Sequence, residues 1–127
     1  MSSIIIPKEQ LKATLQMIQD VLNTRYDVSE PVNMLTHLEE LGFVLGNSTL
    51  AEASARYWME TAKREAIKAN EESKLAPSIM REYVNSLCAG EISVYELAER
   101  QHSALVHKID AVRSSLSYLK SEMNNTN

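Results

Sequence analysis

The feature that most constrains this chain is the apolar seam of its last quarter. Leu105, Ile109, Val112, Leu116, Leu119 and Met123 recur at alternating four- and three-residue steps, and Val94, Ala98 and His102 carry the line backwards at four-residue steps. A seam of that period belongs to a helix that packs knobs into holes against other helices. One helix over 93–123 is predicted, and at about 1.5 Å per residue it reaches roughly 46 Å, longer than a domain of this size needs to cover itself. Part of the seam is therefore expected to meet a second copy. Leu105, Ile109, Val112, Leu116, Leu119 and Met123 are assigned to that oligomer interface.

The rest of the chain supplies shorter helices. Residues 1–6 form a flexible arm whose three isoleucines can staple onto the next helix or add to a partner. Pro7 suits a first helical turn, and Leu11, Leu15, Ile18 and Leu22 mark one apolar face of helix one, which runs to about Thr24. Ser29, Glu30 and Pro31 form a start signal, with the serine as cap, for helix two, which carries Met34, Leu35, Leu38, Leu41 and Leu45. Gly42 weakens that helix, and Gly46 with Asn47 supplies the residues that most easily end it. Thr49 and Glu52 then make a capping box for helix three, which is expected to continue through Lys74 before Pro77 stops it. Its inner face is Ala51, Ala55, Trp58, Ala62, Ala66 and Ala69, methyl groups around one large ring that anchors the register. Ser78 caps a short helix over 79–88, Ala89 and Gly90 turn a tight corner, and Ser93 with Glu96 opens the long helix. The tail 124–127 is expected to fray.

The resulting expectation is one all-α domain over 1–127, a small bundle of about five helices with short connections and antiparallel neighbours. Composition agrees, since three glycines and three prolines leave few turn residues in 127. The single cysteine allows no internal disulfide framework, and the opening residues lack the basic flank and apolar core of a secretion signal. No apolar run approaches the ~20 residues of a membrane span. A soluble protein of the reducing cytoplasm is expected.

Candidate chemistry is sparse. Glu99 and His102 stand at the E-x-x-H spacing of carboxylate-bridged metal bundles, but no second pair faces them. His37 and Glu40 run in the reverse order, and His107 lies five residues from His102 on another side of the helix. His102 reads better as a seam histidine that sets register or bonds across a helix interface. Cys88 has no flanking elbow and reads as a small core residue. Asn47-Ser48-Thr49 matches a glycosylation acceptor but explains itself as a helix start. There is no phosphate loop, dinucleotide fingerprint, zinc spacing or Ser/His/Asp signature, so neither an enzyme nor a bound cofactor or metal is expected.

Two basic groups remain. Lys63, Arg64 and Lys68 stand near Tyr57, and Arg113 and Lys120 line an edge with Ser117 beside Tyr118. Cations with aromatic neighbours suit single-stranded nucleic acid, charge for the backbone and ring faces for bases. The formal net charge of −4 argues against a surface that is basic throughout, so a local stripe repeated by oligomerisation is the form such binding would take. Outward mixed charges otherwise mark a solvated helix.

Two stretches resemble the UvsY-type recombination mediators of phages. Ser48, Thr49, Leu50, followed by alanines and Trp58, is similar to the family's S-T-x-L entry into an aromatic-bearing helix. Ala104 to Lys120 is similar to its C-terminal assembly helix, with Asp110, Ala111, Val112, Arg113 and Ser114 in the place of a D-A-aliphatic-basic-serine run and Leu119-Lys120 as the closing pair. The family's basic DNA-contact segment falls on Ala66, Ile67, Lys68, Ala69 and Asn70, where Lys68 matches and Asn70 stands in place of a second base. The resemblance implies a small helical protein that self-assembles, binds single-stranded DNA and helps load a recombinase on strands coated with single-strand-binding protein. The expectation is thus a non-enzymatic phage recombination or replication accessory factor touching DNA with Lys63, Arg64, Lys68, Arg113 and Lys120. The alternative is a phage inhibitor or adaptor that binds a host defence protein, its acidic clusters Glu39, Glu40, Glu71 and Glu72 mimicking DNA.

Overall fold

Apolar stripes of heptad spacing decide the architecture of residues 4–125, the span that a computed structural model describes. On α1 (Lys8–Asn23) Leu11, Leu15 and Ile18 are buried. On α2 (Pro31–Ala69) the buried residues Met34, His37, Leu41, Val44, Ser48, Ala51 and Ala55 alternate three- and four-residue steps without interruption. On α4 (Ala89–Asn125) Ala98, Gln101, Leu105, Ile109, Val112 and Leu116 turn inward. The apolar members of these stripes form one core, because three helices of matching period can each offer a stripe to the other two. The short α3 (Pro77–Leu87) bridges α2 and α4 and buries Val84.

Long-range bonds fix the directions. Ser48 faces His102 at 3.4 Å and Arg56 donates to the Tyr95 hydroxyl at 2.9 Å, so α2 and α4 are antiparallel. Gln101 donates to the Leu15 carbonyl at 2.9 Å and Lys108 to the Leu22 carbonyl at 2.7 Å, so α1 runs alongside α4 in the same direction. The topology is up, down, up, with α3 as the connecting piece.

There are four helices among the described residues where about five were expected, because helices two and three are one. Gly42 and Gly46 sit inside α2 without positive φ, and Thr49 Oγ1 donates back to the Leu45 carbonyl at 3.0 Å instead of capping a new start. Each glycine costs about 1 kcal/mol in a helix interior. A break there would forfeit the continuous burial of Leu41, Val44, Ser48 and Ala51. Each large apolar side chain lost from the core is worth about 1.5–3 kcal/mol. Burial wins, and the helix runs on.

Several ends also differ. α2 stops at Ala69 rather than Lys74, where Asn70 turns its amide onto the Ala66 carbonyl at 2.8 Å. α3 and α4 abut at Cys88, whose N–H donates to Val84 and whose carbonyl accepts from Ile92, so the long helix starts before Ser93 and the Ser93–Glu96 box lies inside it. Ser29 does not cap α2. Its N–H and hydroxyl both donate to Asp27 Oδ1, at 2.9 and 2.6 Å, and these bonds hold the Asp27 carboxyl below the usual carboxylate range. Of the arm expected to be flexible, Met1 to Ser3 lie outside the described residues, and Ile6 is tied down at both backbone groups. Its N–H donates to Ser54 Oγ and its carbonyl accepts from the Trp58 indole, each at 2.9 Å. Of the tail expected to fray, Asn124 and Asn125 are helical and 126–127 lie outside the described residues.

Candidate functional site

The residues assigned to an oligomer seam are mostly occupied within the chain. Leu105, Ile109, Val112 and Leu116 are buried in the shared core with α1 and α2, Leu119 is half-buried against it, and Met123 is exposed. The seam of α4 is long because α2 is equally long, so the cover that a second copy was expected to provide comes from the same chain.

The five candidate nucleic-acid contacts fall into two groups that one chain does not unite. Arg64, Lys68, Arg113 and Lys120 are exposed and Lys63 is half-buried. The antiparallel register set by Ser48 and His102 places Arg113 level with His37, at the far end of α2 from Lys63 to Lys68. By helix rise that separation is roughly 40 Å. Arg113 and Lys120, seven residues apart, share an edge of α4, while Tyr118 lies about 150° round the helix from them. Tyr57, Arg64 and Lys68 do share one line on α2, whereas Lys63 turns toward Cys88 and the start of α4. No ion pair engages any of the five among the described residues.

Other cations serve the fold. Lys8 pairs with Glu91 at 2.8 Å, and its hydrogen bond depresses the Glu91 carboxyl below the usual range. Arg56 donates to the Tyr95 hydroxyl and lies 5.5 Å from the centroid of its ring, close enough for the ring face to attract the guanidinium. The Lys108 ammonium donates to the carbonyls of Leu22 and Thr24, both at 2.7 Å. A cation thus sits on the carbonyl end of α1, where the helix dipole favours it. Desolvation pulls the Lys108 pKa below the ordinary lysine value.

His102, His37 and Cys88 are each engaged in packing or helix contacts. His102 Nδ1 faces both Ser48 Oγ at 3.4 Å and Glu52 Oε2 at 3.9 Å. A nucleophile triad needs serine and carboxylate on opposite ring nitrogens, and Ser48 is buried beyond reach of a substrate. His102 thus joins α4 to α2, and Glu99, its E-x-x-H neighbour, is exposed. Among the described residues no group of three histidine, cysteine or carboxylate side chains converges as a metal site. Burial, then the nearby Glu91, pushes the Cys88 thiol up, so it is not a thiolate at neutral pH. His37 is 5% exposed, stacks on Tyr26 with ring centroids 5.1 Å apart, and has no partner for its buried Nε2. Desolvation first, and then Lys108, lowers its pKa, against a smaller opposing pull from Glu40.

A cleft of about 380 Å³ opens where the start of α1 meets α2 and the start of α4, with Trp58, Leu11, Ala55 and Val94 as apolar walls. Its volume is near the lower limit for a small-molecule site, and two of its charged side chains, Lys8 and Glu91, are engaged with each other. No helix among the described residues is long and apolar enough to cross a membrane.

The surface that residue-by-residue reading missed is the back of α2. Opposite the core, Phe43, Gly46, Leu50, Ala53 and Tyr57 repeat the same three- and four-residue steps, with Thr36 and Glu39 before them and Glu60 and Arg64 after. Phe43 is 74% exposed and Tyr57 47%. A Cβ placed on Gly42 or Gly46 would meet nothing within 4 Å. The signal was in the sequence, but it becomes visible only once the helix is read through Gly46. Comparison with protein-family models, curated proteins and solved structures finds no match for this chain.

Proposed function

We propose that this chain is a non-enzymatic accessory factor of DNA recombination or replication, of the kind phages encode, that works by contact with single-stranded DNA and with a recombinase or single-strand-binding protein. The observation that carries this reading is a division of labour among the cations. Lys8, Arg56 and Lys108 are bound into the fold, while the other ten lysines and arginines, Lys63, Arg64, Lys68, Arg113 and Lys120 among them, are left without an ion pair among the described residues. Unengaged cations on stiff helices are what a phosphate backbone needs for counterion release. Tyr57 on the line of Arg64 and Lys68 adds a ring face for a base. The test is fluorescence anisotropy of a labelled oligothymidylate across a salt series. Binding at low salt is expected, weakened by Lys63→Ala/Lys68→Ala with a salt slope smaller by about one to two. Absence of binding at low salt overturns the DNA part.

A second reading has its own support. Between Pro31 and Ala55 α2 carries Glu39, Glu40 and Glu52 and no lysine or arginine, beside the exposed Phe43. An acidic, apolar face of that kind suits a phage inhibitor or adaptor that docks on a basic host protein. Retention of a host nuclease by the immobilised chain, with no recombination protein retained, favours it.

A further inference from the structure

We propose that the outward face of α2 is the seat of a second copy of this chain, two α2 helices lying antiparallel across a two-fold axis. This does not rest on the DNA-binding reading, since self-association is measured without DNA.

The face has the form of a helix-pairing seam. It follows the heptad step for most of the length of α2, leaves Phe43 and Tyr57 exposed, and has open space at Gly46 where no residue of the same chain approaches. An interior glycine weakens a helix, and no described residue comes within 4 Å of a Cβ placed at Gly46 to use the room it leaves. Charge chooses the occupant and its direction. The first half of α2 holds Glu39 and Glu40 without a base, and the second half holds Arg56, Lys63, Arg64 and Lys68 among its acids. A parallel pair would set Glu39 beside Glu39, whereas an antiparallel pair sets the acidic half of each copy on the basic half of the other.

One antiparallel register matches the seam at all but one step, where Phe43 lies along the stem of Glu60 of the second copy. Glu39 lies against Arg64 of the second copy, Gly46 receives Tyr57, and Leu50 packs on Ala53, so large side chains meet small ones and each contact occurs twice. The arrangement closes, giving a dimer rather than a filament. It also has a consequence for the cations. Arg64 is taken up by Glu39 and Tyr57 by the space at Gly46, so neither is left for DNA on the dimer, and each end of the dimer now holds Lys63 and Lys68 from one copy level with Arg113 and Lys120 from the other. Groups that the antiparallel register of α2 and α4 keeps at opposite ends of a single chain are thereby joined.

The experiment is sedimentation equilibrium of the full chain at low salt. A dimer is expected. Leu50→Glu gives a monomer with unchanged circular dichroism, and its unfolding midpoint no longer rises with protein concentration as that of the parent does. Glu39→Arg and Arg64→Glu each weaken the dimer by about tenfold, and the two together restore it to within about threefold, because the swapped pair re-forms. A parent chain that stays monomeric at concentrations on the order of 100 μM overturns the proposal. So does a dimer indifferent to Leu50→Glu, and so does a double charge swap that fails to recover what the single changes lose.

Discussion

The inward stripe of α4 and the outward stripe of α2 are built to nearly the same spacing, yet Leu105 is 0% exposed while Phe43 stands 74% exposed. The α4 stripe has α2 and α1 to lie against, whereas on the back of α2 Phe43 and Tyr57 stay exposed and Leu50 is only half-buried. Heptad spacing says that a face of a helix asks for cover. It does not say which helix gives it, because a distant segment of the same chain and a neighbour in another molecule leave the same mark on the sequence.

The largest test of that contrast is a matched pair of truncations. Leu105→Ala is expected to destabilise the fold by about 2–5 kcal/mol, since the core around it relaxes only partly. Phe43→Ala, measured in dilute protein by urea unfolding, is expected to stay within about 0.5 kcal/mol of the parent. Equal costs would mean that the two faces do not differ as described. A smaller effect sharpens the inner side. Because the carbonyls of Leu22 and Thr24 would lose a charged donor, Lys108→Met should speed hydrogen exchange in the last turn of α1. The expected loss of stability is about 1.5 kcal/mol, the scale of a hydrogen bond to a charged group. On the outer side the sign reverses. Gly42→Ala meets open space. It is expected to stabilise the chain by about 0.5–1 kcal/mol in the same assay.

The gentlest test is acid. The folded-state pKa of His37 lies below the ordinary imidazole value of about 6.5, so the unfolded chain takes up that proton first as pH falls. The His37 contribution is therefore whole above about pH 6.5 and is lost as pH falls through the folded-state pKa. Urea midpoints at about pH 7.5 and about pH 5.5 should separate in the parent and draw together in His37→Leu. If the separation persists in the variant, buried His37 is not its source.

Much of the fold was legible because burial and helix period leave direct marks. Leu11, Leu15 and Ile18 announce α1, Pro31 its successor, and Leu105 to Leu116 the inner stripe of α4. The misread boundary at Gly46 shows where local signals mislead. Gly46, Asn47, Thr49 and Glu52 spell an end and a start in isolation, but Leu41, Val44, Ser48 and Ala51 keep one phase across them, and tertiary burial outweighs the local preference. The exposed cations were identifiable from residue type alone. Their separation between the two ends of the bundle was not, since it follows from the antiparallel pairing of α2 with α4, which no single segment encodes.

Lys108 closes α1 from 84 residues beyond Thr24. On a ribosome, the first helix to emerge must therefore wait through the making of α2, α3 and half of α4 before its carbonyl end is sealed. A chain that ends before that lysine leaves the carbonyls of Leu22 and Thr24 to water alone.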